Sequence, residues 1–332
     1  MTQIKSTVFY DSSKLKNVLK DTGFEFEKQA FTPSVIAFIH HFLPLRMKFL
    51  SESYVAYEKD KILGLITLEK DEKSRKRLKI TRVFLEQNSL DIGKLLLEYV
   101  ITRYCAMGAV SYQVVVEDTR ADLLSLFIDG CGFRKSAAEY LYRLQKENLK
   151  YNENITPEGF KFYKNIRVSE VCKLYNANIH SYLRPNFMKT REQFEPDFAC
   201  GISDKTSFAY TLEDEQKGKV YGYFNITTYN NTDYVLDFVL DSAFEIYFED
   251  ALSFVARSLD KRTKKWNLYI KIKSCFSNYK TFKEYMEFKN FALVKSSSIL
   301  TKDYLREIRE KNLLNSAKIV FNDITPAFKT NS

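Results

Sequence analysis

The stretch Asn88-Ser89-Leu90-Asp91-Ile92-Gly93-Lys94-Leu95-Leu96-Leu97 is where this sequence gathers its chemistry. A β-branched, strand-like run precedes it and a helix-periodic run follows, so it reads as strand, tight loop and helix start. The first amides of a helix lack intrahelical acceptors and sit at the positive end of its dipole, which makes such a turn an anion site. Successive amides aimed at one point would cradle a diphosphate. Gly93 permits close backbone approach there, and Lys94 adds a compact positive charge. The corresponding region of the second half, Asp237 to Ala251 (DFVLDSAFEIYFEDA), contains no glycine and is strongly acidic, so it reads as a poor phosphate cradle. Other chemistries find little support. His40 and His41 are neighbours on an expected helix, so they point in different directions, and His180 stands alone; no metal site is expected. The cysteines are Cys105, Cys131, Cys172, Cys200 and Cys275, none in a CxxC spacing, which suits a reducing compartment. Cys131 lies between Gly130 and Gly132 and reads as part of a turn. The nucleophile-elbow, P-loop and dinucleotide-binding glycine patterns are all missing.

The elements that would position the cradle can be read in order. Residues 12–20 and 33–49 look helical, with Ser12 and Thr32 as N-caps and Pro33 at the first helical position. Residues 54–57 and 62–69 form a hairpin, and 78–85 a third strand behind a basic loop. Residues 93–107 predict a helix from the spacing of Leu95, Leu96, Tyr99, Val100 and Tyr104. Residues 111–116 (SYQVVV) predict a central strand, 121–129 a short helix ending at Gly130, and 140–144 a strand. A polar stretch from Lys146 to Gly159 carries no apolar period and predicts a linker. The order then recurs. Expected are a helix at 168–180, strands at 207–213, 220–228 and 234–240, a helix at 244–259, and a strand at 266–273. A helix at 279–288, a strand at 291–300, a helix at 303–312 and a strand at 317–321 complete the chain. The recurrence suggests a duplication, with halves at 1–148 and 159–332 joined by residues 149–158.

Composition agrees. A chain of 332 residues allows about two domains. With 45% hydrophobic and 28% charged residues, each half can bury a core, which excludes wholesale disorder. The net charge of +9 is spread evenly: 24 basic against 19 acidic residues up to Lys150, 27 against 23 beyond it. That pattern reads as solubility, although Lys73 to Lys79 (KSRKRLK) forms one basic run. The most apolar stretch, Ser34 to Leu45, is interrupted by His40, His41 and Pro44 and is too short to span a bilayer. A cytoplasmic protein is expected, with no membrane or nucleic-acid partner, as a monomer or weak dimer.

Downstream of the cradle lie Glu117-Asp118-Thr119-Arg120-Ala121 and then Phe127-Ile128-Asp129-Gly130-Cys131-Gly132-Phe133. With these, residues 54–144 resemble the GNAT family of acyl-CoA N-acyltransferases. The family's Arg/Gln-x-x-Gly-x-Gly/Ala cradle falls on Asn88, Asp91 and Gly93. Its Asn-x-x-Ala falls on Asp118 and Ala121, and its Leu-Tyr ending before Gly-Phe falls on Phe127, Ile128, Gly132 and Phe133. Three departures stand out. Asn88 replaces Arg or Gln, Asp91 places a carboxylate where a glycine is usual, and Ile128 replaces the tyrosine that protonates the leaving thiolate in many members.

The resemblance implies an α/β (α+β) fold: two GNAT-like domains in tandem, each a mixed, mostly antiparallel twisted sheet flanked by helices. It implies an acyl-CoA-dependent N-acyltransferase, with acetyl-CoA as co-substrate and an unidentified amine as acceptor. The donor would be bound by Phe84, Leu85, Asn88, Ser89, Leu90, Asp91, Ile92, Gly93, Lys94, Asp118, Ala121 and Ile128 of the first half. A backbone amide near Phe84 or Leu85 would polarise the thioester carbonyl. Glu86 or Glu117 would deprotonate the amine, and Tyr142 or Tyr57 would supply the proton that Ile128 cannot. The second half would pack on the first and shape the acceptor cleft. Two alternatives remain open: a catalytically inactive protein of this fold that binds or scaffolds, and an aminoacyl-tRNA-dependent transferase.

Overall fold

The structure is a computed structural model that describes residues 2–6, 52–59, 61–70, 77–86, 89–144, 160–163, 167–195, 206–214, 216–228 and 230–304. The first half supplies β1 (Gln3–Ser6), β2 (Glu52–Glu58), β3 (Lys61–Lys70), β4 (Arg77–Leu85), α1 (Leu90–Ala106), β5 (Ser111–Glu117), α2 (Ala121–Ser125) and β6 (Arg134–Arg143). A π-helical turn, Leu126–Gly130, extends α2. The second half supplies β7 (Phe160–Tyr163), α3 (Val168–Asn178), β8 (Thr206–Asp214), β9 (Val220–Thr228), β10 (Asp233–Leu240), α4 (Phe248–Asp260), β11 (Asn267–Lys273), α5 (Tyr279–Phe288) and β12 (Ala292–Asp303). The expected helices at 12–20 and 33–49, the linker, Cys200, His40, His41 and the strand at 317–321 lie outside the described residues. The expected helix at 303–312 would open on Asp303, but that residue ends β12, its carboxylate held by Ser111 (3.1 Å) and Arg134; residues 305–312 lie outside the described residues.

All twelve strands form one sheet in the order β1-β2-β3-β4-β5-β12-β6-β11-β10-β9-β8-β7. Each half contributes an antiparallel run followed by one parallel pair, β4 with β5 and β10 with β11. The expected mixed, mostly antiparallel sheet flanked by helices is therefore present. The last strand of each half, however, crosses over. β12 pairs with β5, β6 pairs with β11, and the two exchanged strands pair with each other at the centre. Burial follows the exchange. Leu300 of β12 is sealed in the first half's core beside Leu97, Val100 and Phe127, while Tyr142 and Leu144 of β6 lie in the second half's core with Leu252, Val255 and Ile270.

α1 packs through Gly93, Leu96, Leu97, Val100, Ile101 and Tyr104. Leu95, expected on that face, is 40% exposed, because the apolar stripe runs one position to its side. Behind the π-helical turn, Gly132 takes φ +68°, a conformation that costs an L side chain roughly 1 kcal/mol, and this delivers Phe133 into the core against Phe127. Gly132→Ala should therefore lower stability by about 1 kcal/mol, read as an earlier urea midpoint. Gly130→Ala should not, since its added methyl meets nothing nearer than 3.7 Å and its φ is not positive.

Candidate functional site

The site is built where the first half's parallel pair comes apart. β4 and β5 are hydrogen-bonded only from Arg77↔Ser111 to Ile80↔Val114. β4 then runs on to Leu85 against β3, and β5 runs on to Glu117 against β12, so the facing edges of the two strands part. A one-residue bulge starts the divergence. The β3–β4 register passes from Leu68↔Ile80 to Thr67↔Arg82 and leaves Thr81 unopposed. Beyond the bulge the strand's alternation resets. Val83 and Leu85 join Ile80 on the α1 side of the sheet, and Phe84 packs with Val55 and Leu65 on the other. The Thr81 hydroxyl is buried without a hydrogen-bond partner.

α1 starts directly above this wedge. Ser89 is its N-cap in extended conformation (φ −67°, ψ 94°), its amide donating to the Glu86 carbonyl at 3.1 Å, but its hydroxyl makes no capping bond. The first intrahelical bond to close is Gly93 N–H to Ser89 O, 3.2 Å. The amides of Leu90, Asp91 and Ile92 stand ahead of it, at the positive end of the helix. Leu90, Asp91 and Lys94 are exposed, Ile92 is half-buried, and Asn88 lies outside the described residues. Gly93 is buried for a reason the sequence hid. A methyl there would come within 2.6 Å of Leu126 and 2.9 Å of Leu85, so its missing side chain lets α1 seat against the end of α2 and the tip of β4. Gly64 of β3 helps in the same way, lying under Ile92 and Leu96.

The other expected residues fall in three places. Glu86 follows β4 and pairs with Lys61 at 2.8 Å; Glu117 ends β5, with Lys295 of β12 at 3.6 Å. Both therefore stand at the lips of the wedge. Asp118 is tied to the exchanged strand: Ser296 and Ser298 each donate to its carboxylate at 2.5 Å, and its amide reaches the Ser296 carbonyl at 3.0 Å. Burial alone would raise its pKa, but the two hydroxyls and Lys135 outweigh that and hold it below the usual carboxylate range. Ala121 is exposed at the start of α2, and Ile128 is 37% exposed on the π-helical turn, with no hydroxyl to offer. Tyr57 packs near Phe84 on the far face. Tyr142 is set apart from all of these. The strand exchange carries it into the second half's core, where its hydroxyl has no partner and burial pushes its pKa up to about 12.

The second half shows the same parting in a filled form. β10 and β11 pair as far as Asp237↔Lys271, and β10 continues to Leu240. Here the Asp241 carboxylate caps the following turn, accepting from the Ala243 amide at 3.1 Å. Asn278 donates to the Leu240 carbonyl at 2.8 Å inside the gap, and Phe238, Phe276 and Phe282 line what is left. A turn already capped by its own anion, above a gap stopped with aromatic rings, offers little to a second anion. No group of His, Cys, Asp or Glu among the described residues is arranged to hold a metal, and no described helix is long and apolar enough to cross a membrane.

No protein-family model matches the sequence, and no curated protein matches it. Solved structures do match the fold. A tandem GNAT protein from the clavulanic acid biosynthesis pathway superposes with TM-score 0.58 at 10% identity, over 91% of this chain and 98% of that one. A GCN5-related N-acetyltransferase from Sphaerobacter thermophilus gives 0.59 at 9% identity, over 91% and 95%. A putative acetyltransferase from Pyrococcus horikoshii gives 0.53 at 12% identity, over 92% and 90%. The likeness spans both halves and is one of fold.

Proposed function

Starting from the tandem GNAT acetyltransferase fold, we propose that this chain is an acyl-CoA-dependent N-acyltransferase that binds its donor, acetyl-CoA, in the first half. The observation that carries the reading is the parting of β4 from β5 beyond Ile80 and Val114, beneath a helix start that no side chain caps. An extended pantetheine arm can pair with the free edge of β4 as a strand would, between the apolar walls of Val83, Leu85 and Ile92. The diphosphate then meets the amides of Leu90, Asp91 and Ile92 and the ammonium of Lys94. An amide near Phe84 or Leu85 polarises the carbonyl, and Glu117 at the opposite lip takes the proton as the amine attacks. The carbon–sulfur bond breaks with its electron pair on sulfur. Since Ile128 has no proton to give, the thiolate leaves as such and is protonated by water. The second half, whose own gap is filled, supplies β12 and with it one wall of the site.

Ile128 also favours a second reading, in which the fold and donor binding persist without catalysis. Adding acetyl-CoA to the full chain should raise its melting temperature by several degrees, and supplying amines should release free CoA thiol. A melting shift without thiol release selects the non-catalytic reading; no shift with acetyl-CoA or longer acyl-CoA rejects both.

A further inference from the structure

The face of the sheet opposite α1 carries a recessed band of charge at the centre of the molecule. Glu117, Ser297, Glu139 and Lys273 stand directly opposite one another across β5, β12, β6 and β11, so they share a face. Ser297 pairs with both Glu117 and Glu139, which puts the crossing point of the exchanged strands inside this row. Two residues along, Lys295 and Lys271 flank Leu141, and Asp237 lies beyond Lys271. Three ion pairs join the rows: Glu117 with Lys295 at 3.6 Å, Glu139 with Lys271 at 3.3 Å, and Asp237 with Lys273 at 2.5 Å. These six side chains are between 13% and 34% exposed, so none stands on the open surface and none is sealed from it.

Charged side chains this recessed cost desolvation that loose pairs repay poorly. The pairs at 3.3 and 3.6 Å are longer than a good charge-assisted hydrogen bond, and the longest of them is at the wedge. The band holds three carboxylates and three ammoniums, so a ligand of one sign meets as much repulsion as attraction. A ligand carrying both signs a short distance apart meets complementary charge on each. We propose that this band is the acceptor site and that the acceptor is a small zwitterion, an α-amino acid or a compound with that head group. Its ammonium lies against Glu117 and its carboxylate against Lys295, entering between the partners of the loosest pair. The inference rests on the acyltransferase reading and gives it an acceptor class. It also gives the strand exchange a purpose, because Glu117 belongs to the first half and Lys295 to the second.

The test compares each of the twenty amino acids with the amine left by its decarboxylation, using acetyl-CoA and reading free thiol. At least one amino acid should exceed its amine tenfold or more in kcat/KM. Lys295→Met should collapse that ratio to within twofold, mainly through KM, and Lys295→Arg should keep most of it; Lys295→Gln repeats the test if the methionine variant folds poorly. Because the ratio compares two acceptors on the same protein, general damage to the site leaves it unchanged. Amines as good as their amino acids, or a ratio that survives Lys295→Met and Lys295→Gln, would each overturn the zwitterion site alone, whereas thiol release with none of the panel despite an acetyl-CoA melting shift removes catalysis and the zwitterion site together. The absence of any melting shift removes the acyltransferase reading, and this inference with it.

Discussion

Replacing Asp237 with asparagine is expected to cost about 2 kcal/mol of stability at neutral pH, and the loss should vanish in acid. The carboxylate is recessed in the sheet face, with its side chain 31% exposed. Burial works to raise its pKa, yet Lys273, Lys189 and Lys271 pull it down to about 2. A folded-state pKa below the unfolded value means that the ionised group stabilises the fold. The contribution is complete above the unfolded value of about 4 and is lost as pH falls through the folded one. The fall from about 4 to about 2 corresponds to roughly 2–3 kcal/mol, and the 31% exposure of the side chain argues for the lower figure. The neutral amide also leaves Lys273, 13% exposed, with Glu139 as its remaining close carboxylate. Urea midpoints of the two proteins should differ by the full amount at pH 7 and converge between pH 4 and 2. If the pair merely fills space, the double variant Asp237→Leu with Lys273→Met recovers most of the loss, because well-packed apolar residues replace a buried ion pair at little cost. An Asn variant as stable as the parent at pH 7 would show that the pair contributes nothing to folding.

Much of this architecture was legible in the residues, and what was hidden has a common cause. The hairpin, the central SYQVVV strand and helix α1 follow from local periodicity, and the structure contains all three. The Gly132-Phe133 ending was readable because a glycine at positive φ before a large apolar residue is a short-range device. The strand exchange was not. β6 and β12 both read as half-buried strands, and no local pattern says whether β6 belongs beside β5 or beside β11. That choice is made by long-range pairs such as Asp118 with Ser296 and Ser298, or Arg134 with Asp303. A proton-donor role for Tyr142 requires β6 to complete the first half; the exchange carries it into the second half's core instead. The sequence alone makes Gly93 a residue that clears space for a ligand's phosphates, whereas its empty side is filled by Leu126 and Leu85. The charged band was invisible for the same reason as the exchange. Glu117, Glu139, Lys271 and Lys295 each read as an ordinary polar position on its own strand, and only the register brings them into one band.

Asp91→Lys should tighten the binding of CoA by about tenfold at physiological salt while lowering the stability of the free protein slightly. Asp91 is an exposed acid in the first turn of α1, at the position where the diphosphate is proposed to sit. An acid there stabilises the helix dipole by about 0.3–1 kcal/mol, which is the small loss expected on substitution. Against a bound diphosphate the same charge is repulsive. The substitution removes one negative charge and adds a positive one beside about two units of negative charge on the ligand. Each unit interaction is worth a few tenths of a kcal/mol across roughly 6 Å of water-exposed space, so the four together approach the 1.4 kcal/mol of a tenfold change. The two effects therefore have opposite signs in one variant, which general disruption of the fold cannot imitate. Calorimetric titration with CoA checks the affinity, and the gain should shrink in 0.5 M salt as screening shortens the reach of the charge. Glu245→Lys, in the turn that opens α4, serves as the counterpart in the second half. If Glu245→Lys tightens CoA and Asp91→Lys does not, the donor belongs to the second half; if neither changes the affinity, the diphosphate contacts neither helix start.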